Sequence, residues 1–146
     1  MAADVGATAR SGFLGSGLDA WARAVFVAIA VTLATLTHWP NLKVDAGVPR
    51  TDMWAHAIAY ATWTFLFIAT GWPGRRGSWR SVGLGMPIAV LYAGLDELSQ
   101  GIPGLGRFVT WDDFAANCVG VWIGASVWAV ALVIRDRRAA GPSPAC

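Results

Sequence analysis

Long apolar runs alternate with short polar breaks along this chain. Four runs stand out, at residues 21–39, 53–72, 81–99 and 114–134. Each approaches the roughly 20 residues that a helix needs to cross a hydrocarbon core. In lipid every backbone N–H and C=O must be satisfied within the segment or by a closed barrel, so helices are expected. The connections are short, which makes sequence neighbours antiparallel. The pattern therefore predicts an all-α, integral membrane, antiparallel bundle of four transmembrane helices over residues 21–138. Residues 1–20, rich in Gly, Ala and Ser, read as a mobile tail. Residues 139–146, with Pro142 and Pro144, read as a disordered end. The first run has a short charge-free part, 24–37, and is read as a retained span. A cleaved secretory signal is disfavoured because Asp4 and Asp19 precede the run and no small-x-small site precedes His38-Trp39-Pro40. No internal repeat and no second domain is visible.

Composition sharpens the membrane reading. The chain is 55% hydrophobic and only 14% charged, against about 25% charged for an ordinary soluble domain. Its mean hydropathy is +0.50. Among nine tryptophans, Trp39, Trp54, Trp72, Trp79 and Trp111 fall at run ends, where an indole can sit at headgroup level. A net charge of +2 is too small to suggest nucleic acid. Its distribution matters more. Arg10, Arg23, Arg75, Arg76, Arg80, Arg135, Arg137 and Arg138 lie on the side of the two tails and the middle loop. Lys43, Arg50 and Arg107 lie on the other. Basic residues favour the cytoplasm, so both termini are expected inside, with the first and third loops outside. Six of the nine acids, Asp45, Asp52, Asp96, Glu97, Asp112 and Asp113, belong to the outward side. Cys118 and Cys146 make no disulfide framework, and no zinc or redox motif is present.

The polar exceptions within the apolar runs carry the candidate chemistry. His56, Glu97 and Asn117 each lie about one turn, ~5.4 Å, inside a different run. Asp52, Gln100 and Asp113 stand at the mouths of the same runs. A bilayer penalises such residues, so an intramembrane ionisable group marks a site by default. Asp52, His56 and Tyr60 are spaced by four and share a helical face. Asp52 also suits a helix N-cap or first turn. His56 can simply donate to a neighbouring helix, or change charge near neutral pH beside a carboxylate. Glu97 and Gln100 share a face, with Asp96 turned away by about 100°. Glu97 is expected to face the bundle and Asp96 headgroups or water, although spacing alone also permits the reverse. Arg107, the only base in the third loop, can clamp a carboxylate or phosphate, or lock the loop onto Glu97 or Asp113. Asp113 and Asn117 are again four apart. Gly120 and Gly124 form a small-xxx-small pair suited to close helix packing, and Cys118 reads as a small apolar filler. The competing reading is a polar network that only fixes helix register.

These residues resemble the VanZ-like family, named for a protein associated with resistance to teicoplanin-type glycopeptides. The family pattern looks like Asp-Lys-x-x-His, Glu-x-x-Gln, a loop Arg, and Asp-x-x-x-Asn followed by Gly. This chain has Asp52-Met53-Trp54-Ala55-His56, Glu97-Leu98-Ser99-Gln100, Arg107, and Asp113-Phe114-Ala115-Ala116-Asn117 with Gly120. The match covers residues 50 to about 125. Met53 replaces the family lysine, so any role needing that charge requires Arg50 or Arg107 to substitute.

The resemblance implies a membrane protein acting on the cell envelope, with a connection to glycopeptide resistance. Its expected partners are membrane lipids and an anionic envelope component or glycopeptide. In this reading His56 and Glu97 form the proton-sensitive, candidate catalytic floor. Asp52, Gln100, Arg107, Asp113 and Asn117 bind substrate, with Arg107 holding the anion. No cofactor is implied, and no recognised spacing groups Asp52, His56, Glu97 and Asp113 as metal ligands. Alternatives are an enzyme on a lipid-linked or phospholipid substrate, a small carrier, and a purely structural scaffold. No nucleophile elbow or phosphate loop supports the enzyme.

Overall fold

The computed structural model describes residues 5–39, 47, 49–104 and 108–141, with side chains described from residue 20 onward. It is all-helical, with α1 (Val5–Thr37), α2 (Thr51–Ala69), α3 (Trp79–Gln100) and α4 (Trp111–Ala139). Among the described residues, three segments are long and apolar enough to cross a membrane: Ala20–Thr37, Trp79–Gln100 and Trp111–Ala139. The second expected span is a helix but falls outside that set. Asp52, His56, Tyr60, Thr62 and Thr64 dilute its apolar character, and it packs against all three other helices, most extensively against α4.

The first helix departs from expectation at its start. Residues 5–20, read as a mobile tail, continue the helix of the first run. No proline interrupts the chain before Pro40, so the helical hydrogen-bond ladder is not broken there. At the other end Thr37 Oγ1 and His38 Nδ1 fold back onto the Ala34 carbonyl, at 3.3 and 2.9 Å. Helix α4 is specified from both ends. Thr110 Oγ1 accepts the Asp113 N–H at 3.1 Å, Asp112 and Asp113 occupy the first turn, and Arg137 and Arg138 the last. This arrangement complements the helix dipole. Gly141 follows with φ 66°, the left-handed conformation that ends a helix without a Cβ penalty. Residues 142–146 of the expected tail lie outside the described residues.

The tightest contact is between α2 and α4. A Cβ on Gly120 would collide with the Ala57 carbonyl, and one on Gly124 with the Ala61 carbonyl. The backbones themselves are therefore in contact, as the small-xxx-small pair predicts. Between α2 and α3, Trp63 stacks on Tyr92 at 4.8 Å, and Ile68 fills the notch left by Gly85. Helix α1 adds Phe26, edge-on to Trp63 at 5.2 Å. It is the only buried side chain of α1 among the described residues. Contacts pair rising residue numbers on α2 with falling ones on α3, and rise together between α2 and α4. At one end the 70–78 turn is tied to the end of α4 by Arg135, which donates to the Gly77 carbonyl, and by Trp79, which donates to Asp136 at 3.2 Å. The opposite end holds the buried Asp96, Glu97, Gln100 and Asn117.

Candidate functional site

Three helices bring polar side chains to the end where α2 begins, α3 stops and α4 begins. Asn117 is fully buried, and its Oδ1 lies 2.9 Å from His56 Nδ1. An amide oxygen only accepts, so His56 Nδ1 carries the hydrogen. The neutral ring then has its lone pair on Nε2. Asn117 stands one turn from Gly120, so the close α2–α4 approach is what lets so short an amide reach the ring.

Glu97 is 3% exposed. Its Oε1 accepts the Thr110 backbone N–H at 2.7 Å. Thr110 is also the N-cap of α4, so one carboxylate fastens the end of α3 to the start of the next helix. Glu97 lies within electrostatic range of Asp113, His56 and Asp96. Its second oxygen, Oε2, is buried and has no hydrogen-bond partner, and neither has Asn117 Nδ2. An unserved acceptor on Glu97 and an unserved donor on Asn117 thus lie in the same polar layer as the half-buried imidazole. The other buried polar atoms without a partner are neutral groups on Trp63, Thr64 and Trp128, farther along the helices. The pair of unpartnered atoms can bind a group that both donates and accepts, such as a hydroxyl or an amide.

The remaining candidates distribute differently. Asp113 is half-buried in the first turn of α4. Asp52 is exposed in the first turn of α2, the position its dipole-capping alternative requires, and the cap residue itself is Arg50 with φ 59°. Gln100 is buried and donates to Asp96 Oδ2 at 3.2 Å. Arg107 lies outside the described residues. Arg50 pairs with Asp112 at 2.7 Å, with both side chains largely exposed, so this bridge adds little stability.

Asp96 requires a correction. It was expected to face headgroups or water, yet it is only 5% exposed. Its Oδ1 accepts from Thr37 Oγ1 at 3.2 Å, and its Oδ2 from Tyr60 Oη at 2.9 Å. The 100° offset from Glu97 points Asp96 towards α1 and α2 rather than outward, because α3 is packed on both flanks. Thr37, His38 and Thr110 were not among the candidates. For His38 a signal was available: it ends the first run at the layer where the other polar residues gather.

Among the described residues, no group of three or more His, Cys, Asp or Glu side chains is placed to hold a metal ion. No family model, curated protein or solved structure matches the chain.

Proposed function

We propose that this chain is a VanZ-like membrane protein whose polar end faces outward and binds the hydrogen-bonding part of a cell-envelope component. The observation that carries the reading is that two buried polar atoms of this layer, Glu97 Oε2 and Asn117 Nδ2, have no partner, the second on the amide that bonds His56. A buried polar atom without a partner costs about 1–3 kcal/mol. A ligand hydroxyl or amide that served both atoms would recover that cost. Membrane insertion is supported by the three apolar helices. The fourth, α2, has 19 residues, long enough for roughly 28 Å at 1.5 Å per residue, and is sheltered by its neighbours. The contact order supports an antiparallel bundle. Trp39, Trp54 and Trp111 are exposed at one end, and Trp21, Trp72 and Trp79 at the other, as two interfacial belts would require. The excess of basic residues in the tails and middle loop supports a cytoplasmic location for both termini.

In this reading His56 and Glu97 form the proton-sensitive floor and Asn117 orients the ligand. Asp113 shapes the mouth, and Arg107 holds an anionic group of the envelope component or of a teicoplanin-type glycopeptide. An enzyme on a lipid-linked substrate is the second reading. It is favoured by one feature, the His56 Nε2 lone pair left available by the Nδ1 bond to Asn117.

The test is co-purification. The intact protein and Glu97→Gln are extracted under identical mild conditions, and bound molecules are identified by native mass spectrometry. The intact protein should carry an envelope component that Glu97→Gln loses at equal yield of folded protein. Identical cargo on both would overturn the site. Arg107→Lys, which keeps charge but loses the bidentate fork, should weaken any anionic cargo and any glycopeptide protection without lowering folded protein. Orientation is checked separately. A cysteine placed by Gly104→Cys should react with an impermeant reagent from outside, and one placed by Gly77→Cys should not.

A further inference from the structure

A second polar cluster, where α1 and α3 end, has a chemistry that the Glu97 site does not use. His38 follows the last residue of α1, and Ser99 is the penultimate residue of α3. His38 Nε2 lies 2.7 Å from Ser99 Oγ. The other ring nitrogen, Nδ1, lies 2.9 Å from the Ala34 carbonyl oxygen. A carbonyl oxygen only accepts, so Nδ1 carries the hydrogen and the neutral ring turns its Nε2 lone pair on Ser99. That is the tautomer a general base needs.

Asp96 completes the arrangement from behind. Its Oδ1 lies 3.9 Å from His38 Nδ1, too far for a hydrogen bond but within ion-pair distance. Thr37, Tyr60 and Gln100 all donate to the same carboxylate and hold it in place. The Ala34 carbonyl orients the imidazole. Ser99 Oγ also lies 2.6 Å from the Asp96 backbone oxygen, so its hydrogen can turn to that carbonyl or to His38. Ser99 and His38 are both half-buried and reachable. The neighbouring Trp39, Leu98 and Ile102 are exposed, an apolar border for a reacting group carried on a hydrocarbon chain.

We propose that Ser99 is a nucleophile activated by His38 that takes acyl groups from amphiphilic esters. Ser99 Oγ bonds to the ester carbonyl carbon as its proton passes to His38 Nε2. The carbonyl carbon–oxygen bond to the alcohol breaks, and the alcohol leaves with that proton. Water then attacks acyl-Ser99 and gives a proton to His38. The acid departs as Ser99 Oγ regains that proton. The net reaction is ester plus water to acid plus alcohol, with no other co-reactant. The choice of a membrane-borne ester rests on the membrane reading above, whereas the activated serine does not.

The experiment uses the full chain in detergent micelles and an alkyl fluorophosphonate. Attack by Ser99 forms an oxygen–phosphorus bond and expels fluoride. One adduct is expected, mapped to Ser99 by peptide mass spectrometry, absent after heat denaturation and absent in Ser99→Ala. In His38→Gln its rate should fall by roughly 10²-fold. Failure to label Ser99, equal labelling of denatured protein, or wild-type labelling of a folded His38→Gln would overturn the proposal. If His38→Gln does not fold, Ser99→Cys decides. Its thiol should react with iodoacetamide faster than that of Ile102→Cys, whose position is more exposed but has no histidine beside it. A slower or equal rate would overturn the proposal. The probe reads Ser99 alone, so its failure leaves the reading of the Glu97 site standing.

Discussion

Asp96 and Glu97 are adjacent on α3 and almost equally buried, yet their surroundings are opposite. Asp96 receives three side-chain hydrogen bonds, from Thr37, Tyr60 and Gln100, which come from three helices. Glu97 receives one backbone hydrogen bond at Oε1 and none at Oε2. Burial alone therefore does not mark a site, because both residues have it. Saturation separates them. A carboxylate whose oxygens are fully served acts as a clamp between helices. One with a buried, unserved oxygen keeps capacity for something not yet bound. In this comparison Asp96 holds the bundle together, and Glu97 holds a loop with one oxygen and offers the other.

The largest expected effect comes from breaking the close α2–α4 contact that brings Asn117 to His56. Gly120→Val places a branched side chain against the Ala57 carbonyl and the start of α2. Overpacking typically costs about 1–3 kcal/mol, and a collision with backbone should exceed that. We expect little monodisperse protein after extraction. Near-normal yield and stability would mean that the helices do not approach closely enough for His56 to reach Asn117.

Next comes the direct comparison. Asp96→Asn turns an acceptor towards three donors into a mixed group and should cost about 2–3 kcal/mol, the range for hydrogen bonds to a charged partner. Glu97→Gln keeps an acceptor for the Thr110 N–H and should cost less than about 1 kcal/mol. Unfolding titrations of the two variants in one detergent measure the difference. Equal losses would sink the distinction between clamp and site. Tyr60→Phe removes a single donor to Asp96 and should cost about 1 kcal/mol, with the Glu97 site unaffected. A larger loss would show that the Asp96 cluster also supports the Glu97 side. The smallest effect belongs to Asp52→Asn. Asp52 is exposed in the first turn of α2, where it suits the helix dipole, so stability should change by no more than about 0.5 kcal/mol and cargo not at all. Loss of cargo would return Asp52 to the site.

What the sequence determined was the helical register and the polar layer. Alternating apolar runs placed α2, α3 and α4 within a few residues of their observed bounds. Spacing alone gave the glycine contact at Gly120 and Gly124, because an i, i+4 pair of small residues has a direct geometric meaning. It also put His56, Glu97 and Asn117 at one depth, since depth along a helix is a count of residues. What only the tertiary structure decided was direction around the helix axis. Asp96 turned inward because α1 packs on the flank that had been assigned to headgroups or water. Gln100, which shares a face with Glu97 by spacing, also donates to Asp96, one turn back on the same helix. Thr110 entered through its backbone N–H, which no residue type announces. His38 met Ser99 because α1 and α3 end at the same level, across 61 residues of chain. Periodicity fixes which residues share a face, but only packing decides which faces meet.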